Sequence, residues 1–531
     1  MFTAKKVLFP IVFLAFYCAV SAQTTNWQWV ATGGGAWNDR CWGVVTDDDG
    51  NSYIAGRTEH IATYGNYQLS GYSAFVAKLD PAGNWIWVRQ VTGTGSYCYD
   101  IGYDGENGLY ITGVFGTIAE FGSITLTDSG IFVARISTDG VWQWASKAEC
   151  SENIRGTSIT ANSQGNVCLT GYFSGTAVFG GQSVTSLGHT DVFVAQIDSG
   201  GGWSWVTSGG SSSNDSGMGV ALGPNSEVYV VGRYVGTAFF GGTTLESGST
   251  NTFEILVAKL SSSGAWVWAE SAGGASMDEA SKVTVDDAGN LYVTGYFMET
   301  AGFGSHELIS RGGKDIFVAK LDPNGTWLWV TQAGGTDMDS GSSIFTNSSG
   351  RIVTAGLFRG IAHFGTFTIG PSSDDPIYLA EIDASGTWLW VAYANSVCPE
   401  NTVFVTLDPS GYALVGGFFN GPAWFGPITI LNNGNADVFL AKYGFNQPKS
   451  PENLLISKSD NDIMLSWDEV TQGVNGLALT PDRYLIYVNI FGEPEGPFYY
   501  FGETQNNWYI HYDAALTEYG SILYQVTAEK D

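Results

Sequence analysis

An all-β fold assembled from repeats is what this sequence predicts, and three observations carry that prediction. A Trp-x-Trp pair recurs seven times at near-constant spacing. Short alternating runs rich in β-branched and aromatic residues, bounded by Gly, Asn, Asp or Pro, fill the intervals. No stretch holds a convincing 3.6-residue period. The pairs are Trp27/Trp29, Trp85/Trp87, Trp142/Trp144, Trp203/Trp205, Trp266/Trp268, Trp327/Trp329 and Trp388/Trp390, in steps of 58, 57, 61, 63, 61 and 61 residues.

In chain order, residues 1–22 come first and read as a leader. Lys5 and Lys6 precede an apolar run from Val7 to Val20, and the small residues Ser21 and Ala22 follow it. That is the layout of a secretory signal peptide, which predicts a secreted, periplasmic or cell-surface protein. A lipid anchor on Cys18 is disfavoured by the bulky Phe16 and Tyr17 before it. No later apolar run reaches the roughly 18 residues of a membrane-spanning helix, so no transmembrane segment is expected. Five cysteines remain beyond the leader, Cys41, Cys98, Cys150, Cys168 and Cys398. They match no zinc spacing, and one or two disulfides are open to them outside the cytosol.

Residues 23–445 hold the array. From Lys282 to Val330 the order is "KVTVDDAGN", "LYVTGYF", a linker "METAGFG", "DIFVAKLD", a Pro-Asn-Gly turn and "TWLWV". These predict four antiparallel strands per period, the design of a β-propeller blade. The array opens on the strand that comes last in a period, Trp27–Trp29, and ends on the one that comes third, Asp437–Lys442. That permutation predicts a seven-bladed β-propeller of four-stranded blades, its ring closed by the N-terminal strand and its free edges removed. The Trp pair shares one strand face and is expected to wedge between neighbouring blades as core.

The units "GNLYVTGYF", "DIFVAKLDPNGTWLW", "GNVCLTGYFSGTAVFGG" and "DVFVAQID" resemble the SBBP-type β-propeller repeat of secreted bacterial proteins over about residues 24–445. Cys168 in place of the usual Tyr, and "GYALVGGFF" in the last unit, depart from it. The resemblance implies a secreted scaffold or binding module and supplies no catalytic residues.

Residues 446–451, with Pro448 and Pro451 flanking the stretch, read as a linker, and residues 452–531 as a small β-sandwich of seven short strands. The runs around Trp467, Tyr484, Tyr487, Leu516 and Tyr524-x-Val526-x-Ala528 resemble a fibronectin type III domain.

Charge narrows the function. With 22 Lys and Arg against 51 Asp and Glu, the net charge of -29 argues against nucleic acid as a partner. The histidines, His60, His189, His306, His363 and His511, occupy unrelated repeat positions, and there is no nucleophile elbow, phosphate loop or paired metal spacing. Asp39, Asp215, Asp278 and Asp339 share one repeat position, just before the first strand; Ser96, Ile154 and Pro399 stand there in the other units. The four acids are candidates for a partial acidic rim holding Ca²⁺ or a cationic ligand, with turn capping as the plainer role. "TDDDGN" (Asp47–Asp49) and "VDDAGN" (Asp286, Asp287) read as hairpin turns, lacking the distal Glu of a calcium loop.

The expectation is a non-catalytic exported binding or scaffold protein with no bound cofactor, making protein or polysaccharide contacts at the cell envelope. The alternatives are an extracellular glycan lyase or hydrolase, whose carboxylate pair would stand about 5–10 Å apart, and a self-assembling surface protein.

Overall fold

The computed structural model describes residues 26–248, 252–370, 376–395, 403–444, 455–459, 462–469, 483–489, 499–511 and 523–529. The proposed leader, Cys398, Pro399 and the proposed linker lie outside the described residues. Asn26–Gly444 forms one compact unit, and the described residues beyond Gly444 belong to a second.

The first unit is a β-propeller-like repeat array. Repeat 4 shows the plan: Ser216–Leu222, Val228–Tyr234, Thr237–Phe240, Thr243–Glu246, Glu254–Leu260 and Trp266–Gly274. The first, second, fifth and sixth strands pair in that order, antiparallel throughout. The third and fourth form a separate hairpin. In the first repeat the corresponding hairpin bonds to the Gly-rich end of the Trp strand before it, through Gly33↔Tyr64, Gly34↔Thr63 and Gly35↔Ala62. Ala148↔Phe179, Gly273↔Gly302 and Ala333↔Phe364 repeat the arrangement further along. The strand Asn26–Gly35 pairs with Asp437–Gly444.

Two corrections to the expected fold follow. Most repeats carry six strands rather than four, because the stretch read as a linker forms a hairpin of its own; in repeat 5 that stretch ("METAGFG") continues the second strand, Leu291–Phe303, which pairs with His306–Leu321 along its length. And no sheet closes into a ring that removes free edges. The seven first strands, from Arg40–Thr46 to Phe404–Leu407, line one common cavity of about 370 Å³. Each pairs in a sheet only with the second strand of its own repeat, so side-chain packing and side-chain hydrogen bonds such as Val220 N–H to Ser158 Oγ, not a backbone ladder, join their inner edges. The described residues of the second unit form two separate three-stranded sheets; the rest of the expected fibronectin type III-like sandwich, Leu516 included, lies outside the described residues. Trp467 and Tyr484 pack there edge-to-face at 5.2 Å.

The tryptophan pair divides its work. The first Trp packs within its own repeat, edge-on to the aromatic of the hairpin: Trp327 to Phe303 at 5.3 Å, Trp203 to Phe179 at 4.9 Å, Trp27 to Phe425 at 4.9 Å. The second Trp reaches the next repeat. Its indole N–H donates to a turn carbonyl there, as in Trp268 to Pro323 (3.2 Å) and Trp329 to Ala384 (3.0 Å). Trp390, last in the series, donates instead to Glu381 in its own repeat. Glycine makes both contacts possible. Gly304 (φ 60°) and Gly325 (φ 90°) lie against Trp327 and Trp268, where a Cβ would stand 2.9 and 3.2 Å from the rings.

Trp327→Ala is therefore expected to cost about 3–5 kcal/mol. Gly325→Ala, strained and pressed onto Trp268, should cost more than about 1 kcal/mol. Urea unfolding followed by tryptophan fluorescence checks both.

Candidate functional site

Side chains from the first strands of all seven repeats, and from the second strands of repeats 1, 3 and 4, converge at one mouth of the central cavity. Unlike the Trp and Gly positions they change from repeat to repeat. In the first three repeats they are Arg40, Trp42 and Arg57, then Tyr97 and Tyr99, then Arg155, Thr157 and Tyr172. Ser216, Met218, Arg233, Glu279, Ser281, Lys282, Ser342 and Phe404 complete a cavity of about 540 Å³. A chain of net charge -29 thus gathers four arginines and a lysine around one opening.

These cations interleave with rings. The Arg155 guanidinium lies 3.8 Å from the Tyr99 ring centre, and Tyr99 stacks on Tyr97 with only 6° between planes. Arg57 lies over both Tyr97 and Trp42, and Arg40 over Phe418. Such contacts fix the guanidinium planes while leaving their N–H edges for a ligand. Arg57 is paired with Glu59 (2.7 Å) and Arg233 with Glu279 (2.5 Å). Arg155 makes no ion pair among the described residues, and its Nε is buried without a hydrogen-bond partner.

Below the mouth, Lys282 of repeat 5 spans the channel to Asp100 of repeat 2. Its Nζ donates to Asp100 Oδ2 at 2.7 Å and to Ser158 Oγ at 3.1 Å. Ser158 Oγ and the Ile159 N–H also donate to Asp100 Oδ2. An ammonium committed to a carboxylate has no lone pair to offer Ser158, so this trio works as a brace rather than as a nucleophile and base. Elsewhere cations serve turns: Lys442 pairs with Asp408 and Arg351 with Glu381, both at 2.7 Å.

Asp39, Asp215, Asp278 and Asp339 are buried one per repeat. Each carboxylate accepts two backbone N–H groups, one four residues back and one twenty residues on: Gly35 and Glu59, Ser211 and Val235, Gly274 and Met298, Gly335 and Arg359. They staple the Trp-strand end to the end of the next repeat's second strand. No group of three or more His, Cys, Asp or Glu side chains suited to a metal ion occurs among the described residues. Asp47 and Asp286 likewise accept their own turn N–H groups, from Asp49 and Asn51, and from Ala288 and Asn290. Cys41, Cys98, Cys150 and Cys168 are free thiols.

A second acid, which the sequence reading missed, faces each staple from the start of the fifth strand: Asp437, Asp191, Glu254 and Asp315. A Cβ on Gly210 would stand 2.8 Å from both Asp191 Oδ1 and Asp215 Oδ2. In repeats 2 and 3, which lack the acidic staple, the residues at the two equivalent positions are Ser96 with Ser73 and Ile154 with Gly130, so the acids occur together or not at all among the described pairs. Burial drives up the carboxyl pKa, to about 7 at Asp278 and about 6 at Asp191, Asp315, Asp339 and Asp437, and the facing acid adds to it at Asp191, Asp278, Asp339 and Asp437.

No protein-family model matches the chain. It is similar to an uncharacterized WD repeat-containing protein, L264, of Acanthamoeba polyphaga mimivirus, with 23% identity over 463 residues, 70% of this chain. The match spans only 33% of that protein's length. Among solved structures, YCF48 bound to D1 peptide aligns over 79% of this chain and 96% of its own (TM-score 0.37, 11% identity). Sqt1 from Chaetomium thermophilum aligns over 83% and 97% (TM-score 0.33, 10% identity), and puromycin hydrolase over 72% and 58% (TM-score 0.34, 10% identity). Likenesses this distant carry no functional argument.

Two outcomes are expected. Carboxyls with raised pKa bind protons in the folded state that the unfolded chain has released. Their contribution is fully present below the ordinary carboxyl pKa of about 4 and is lost as pH rises through about 6 to 7. Calorimetry should therefore show Tm falling from about pH 5 to about pH 8, with a shallower fall for Asp278→Asn; a flat profile contradicts the pairing. Lys282→Met, which leaves Asp100 buried and unpaired, should cost about 3–5 kcal/mol in chemical denaturation, and adding Asp100→Asn should recover part of it.

Proposed function

We propose that this protein is a non-catalytic exported binding module that holds an acidic polysaccharide of the cell envelope at the cation-lined mouth. The observation that carries the reading is the convergence of Arg40, Arg57, Arg155 and Arg233 with Trp42, Tyr97, Tyr99 and Tyr172 on one cavity of a strongly acidic chain. Guanidinium edges match carboxylates. The hydroxyls of Thr157, Ser216, Ser281 and Ser342 match sugar hydroxyls, and the rings offer apolar faces to a pyranose. A scaffold held by recurring Trp and Gly positions, with varied charged and aromatic side chains gathered at one mouth, is the pattern of a recognition surface on a rigid frame. Export rests on the leader pattern of residues 1–22 and on the likeness to SBBP-type repeats of secreted bacterial proteins.

Titration calorimetry with oligogalacturonates and with neutral oligosaccharides of equal length tests this. The acidic series should bind and the neutral series should not. Arg155→Gln, folded by the same Tm criterion, should weaken binding about tenfold or more. Equal binding of both series, or of neither, overturns the proposal.

A further inference from the structure

We infer that the mouth takes the terminus of the acidic chain, seated end-on with its last carboxylate on Arg155, rather than an internal stretch lying across the opening. This rests on the acidic-polysaccharide reading above and goes beyond it on three observations. First, the channel is obstructed beneath the mouth. The Lys282–Asp100 contact links repeat 5 to repeat 2 at 2.7 Å and is reinforced by Ser158, so a chain entering the cavity meets this brace instead of passing through.

Second, most of the mouth's charge is already committed, with Arg40 lying over Phe418. Arg57, Arg233 and Lys282 are already neutralised by Glu59, Glu279 and Asp100. Arg155 is held over Tyr99 with its Nε buried and unbonded, and it makes no ion pair among the described residues. A polyanion lying across the mouth brings a row of charges and is matched by a row of open cations; one open guanidinium matches one carboxylate. Third, a cavity of about 540 Å³ is the size of a small-ligand pocket. It encloses a chain end and excludes the body of a polymer.

The experiment is titration of the full protein with short and long oligogalacturonates, at equal concentrations of chain ends. End recognition gives one protein per chain at every length, with affinity independent of length beyond the first few residues. Reducing the terminal carboxylate to an alcohol should weaken binding about tenfold or more, as should Arg155→Gln, with partial rescue in Arg155→Lys. Stoichiometry that climbs with chain length, while Arg155→Gln still weakens binding, overturns end recognition and leaves the acidic-polysaccharide reading standing. Absence of any oligogalacturonate binding, or capture only of peptides through their C-terminal carboxylate, overturns both.

Discussion

The indole of the second tryptophan, donating across the repeat boundary, is the interaction on which the rest of the first unit depends. First strands of neighbouring repeats do not pair in a common sheet and are joined only by side-chain hydrogen bonds such as Thr46 to Leu407 and Ser158 to Asp100, so no backbone ladder fixes one first strand beside the next. The N–H of Trp29, Trp87, Trp144, Trp205, Trp268 or Trp329, aimed at a turn carbonyl of the following repeat, sets that spacing, and the turn glycine lying flat on the ring sets the approach. The first tryptophan does the local half, holding the hairpin of its own repeat. Buried polar groups must find partners, so each indole N–H that crosses the boundary specifies geometry as well as filling volume. Trp390 donates to Glu381 and packs on Tyr443 of the following repeat at 5.2 Å. The strand Asn26–Gly35 completes that last repeat by hydrogen bonding to Asp437–Gly444.

Once the frame is fixed by Trp and Gly, other positions are released to vary. At the boundary, the fifth-strand start and the residue before the first strand change as a pair: two serines, Gly with Ile, or two acids. That is the behaviour of positions whose only requirement is compatibility with each other. At the mouth, the lining positions of the first and second strands range over Arg, Trp, Tyr, Ser, Met and Glu without that constraint. They face solvent-accessible space, and their cost to the fold is small. The boundary variation is structural, because each acid there is turned inward onto backbone N–H groups. The mouth variation is chemical, because its charged edges point into the cavity.

Periodicity made the repeat visible, since Trp at i and i+2 and Gly after an aromatic recur every sixty residues or so and have one physical use each. It also made the hairpin invisible. In "METAGFG" glycines and small residues outnumber strand formers, so the stretch reads as a linker, and only pairing to His306–Ile309 and to the preceding Trp strand shows it as a strand. The mouth was hidden for the opposite reason. Arg40, Tyr99 and Arg155 occupy equivalent or neighbouring positions, but averaging over repeats discards positions that do not repeat. Lys282 and Asp100, 182 residues apart, carry no local signal at all. Asking which aligned positions vary most, instead of which vary least, would have found Arg40, Tyr97, Arg155 and Glu279 together. The acids Asp39, Asp215, Asp278 and Asp339 were found because they do repeat, which is also the mark of a structural duty.

The contrast between a net charge of -29 and a cationic mouth bears on selectivity. Exposed charges farther away than a Debye length, about 8 Å at physiological ionic strength, are largely screened, whereas a partly buried guanidinium is screened much less. An anion already inside the mouth therefore feels Arg155 more than it feels the acidic exterior. An anion spread along the outer surface feels the reverse. The field of the whole molecule then disfavours ligands whose charge extends beyond the cavity and tolerates those whose charge is confined to the part that enters. A cationic surface would hold any polyanion anywhere along its length; a cationic pit in an acidic surface selects by shape, because only an end presents its charge without the rest.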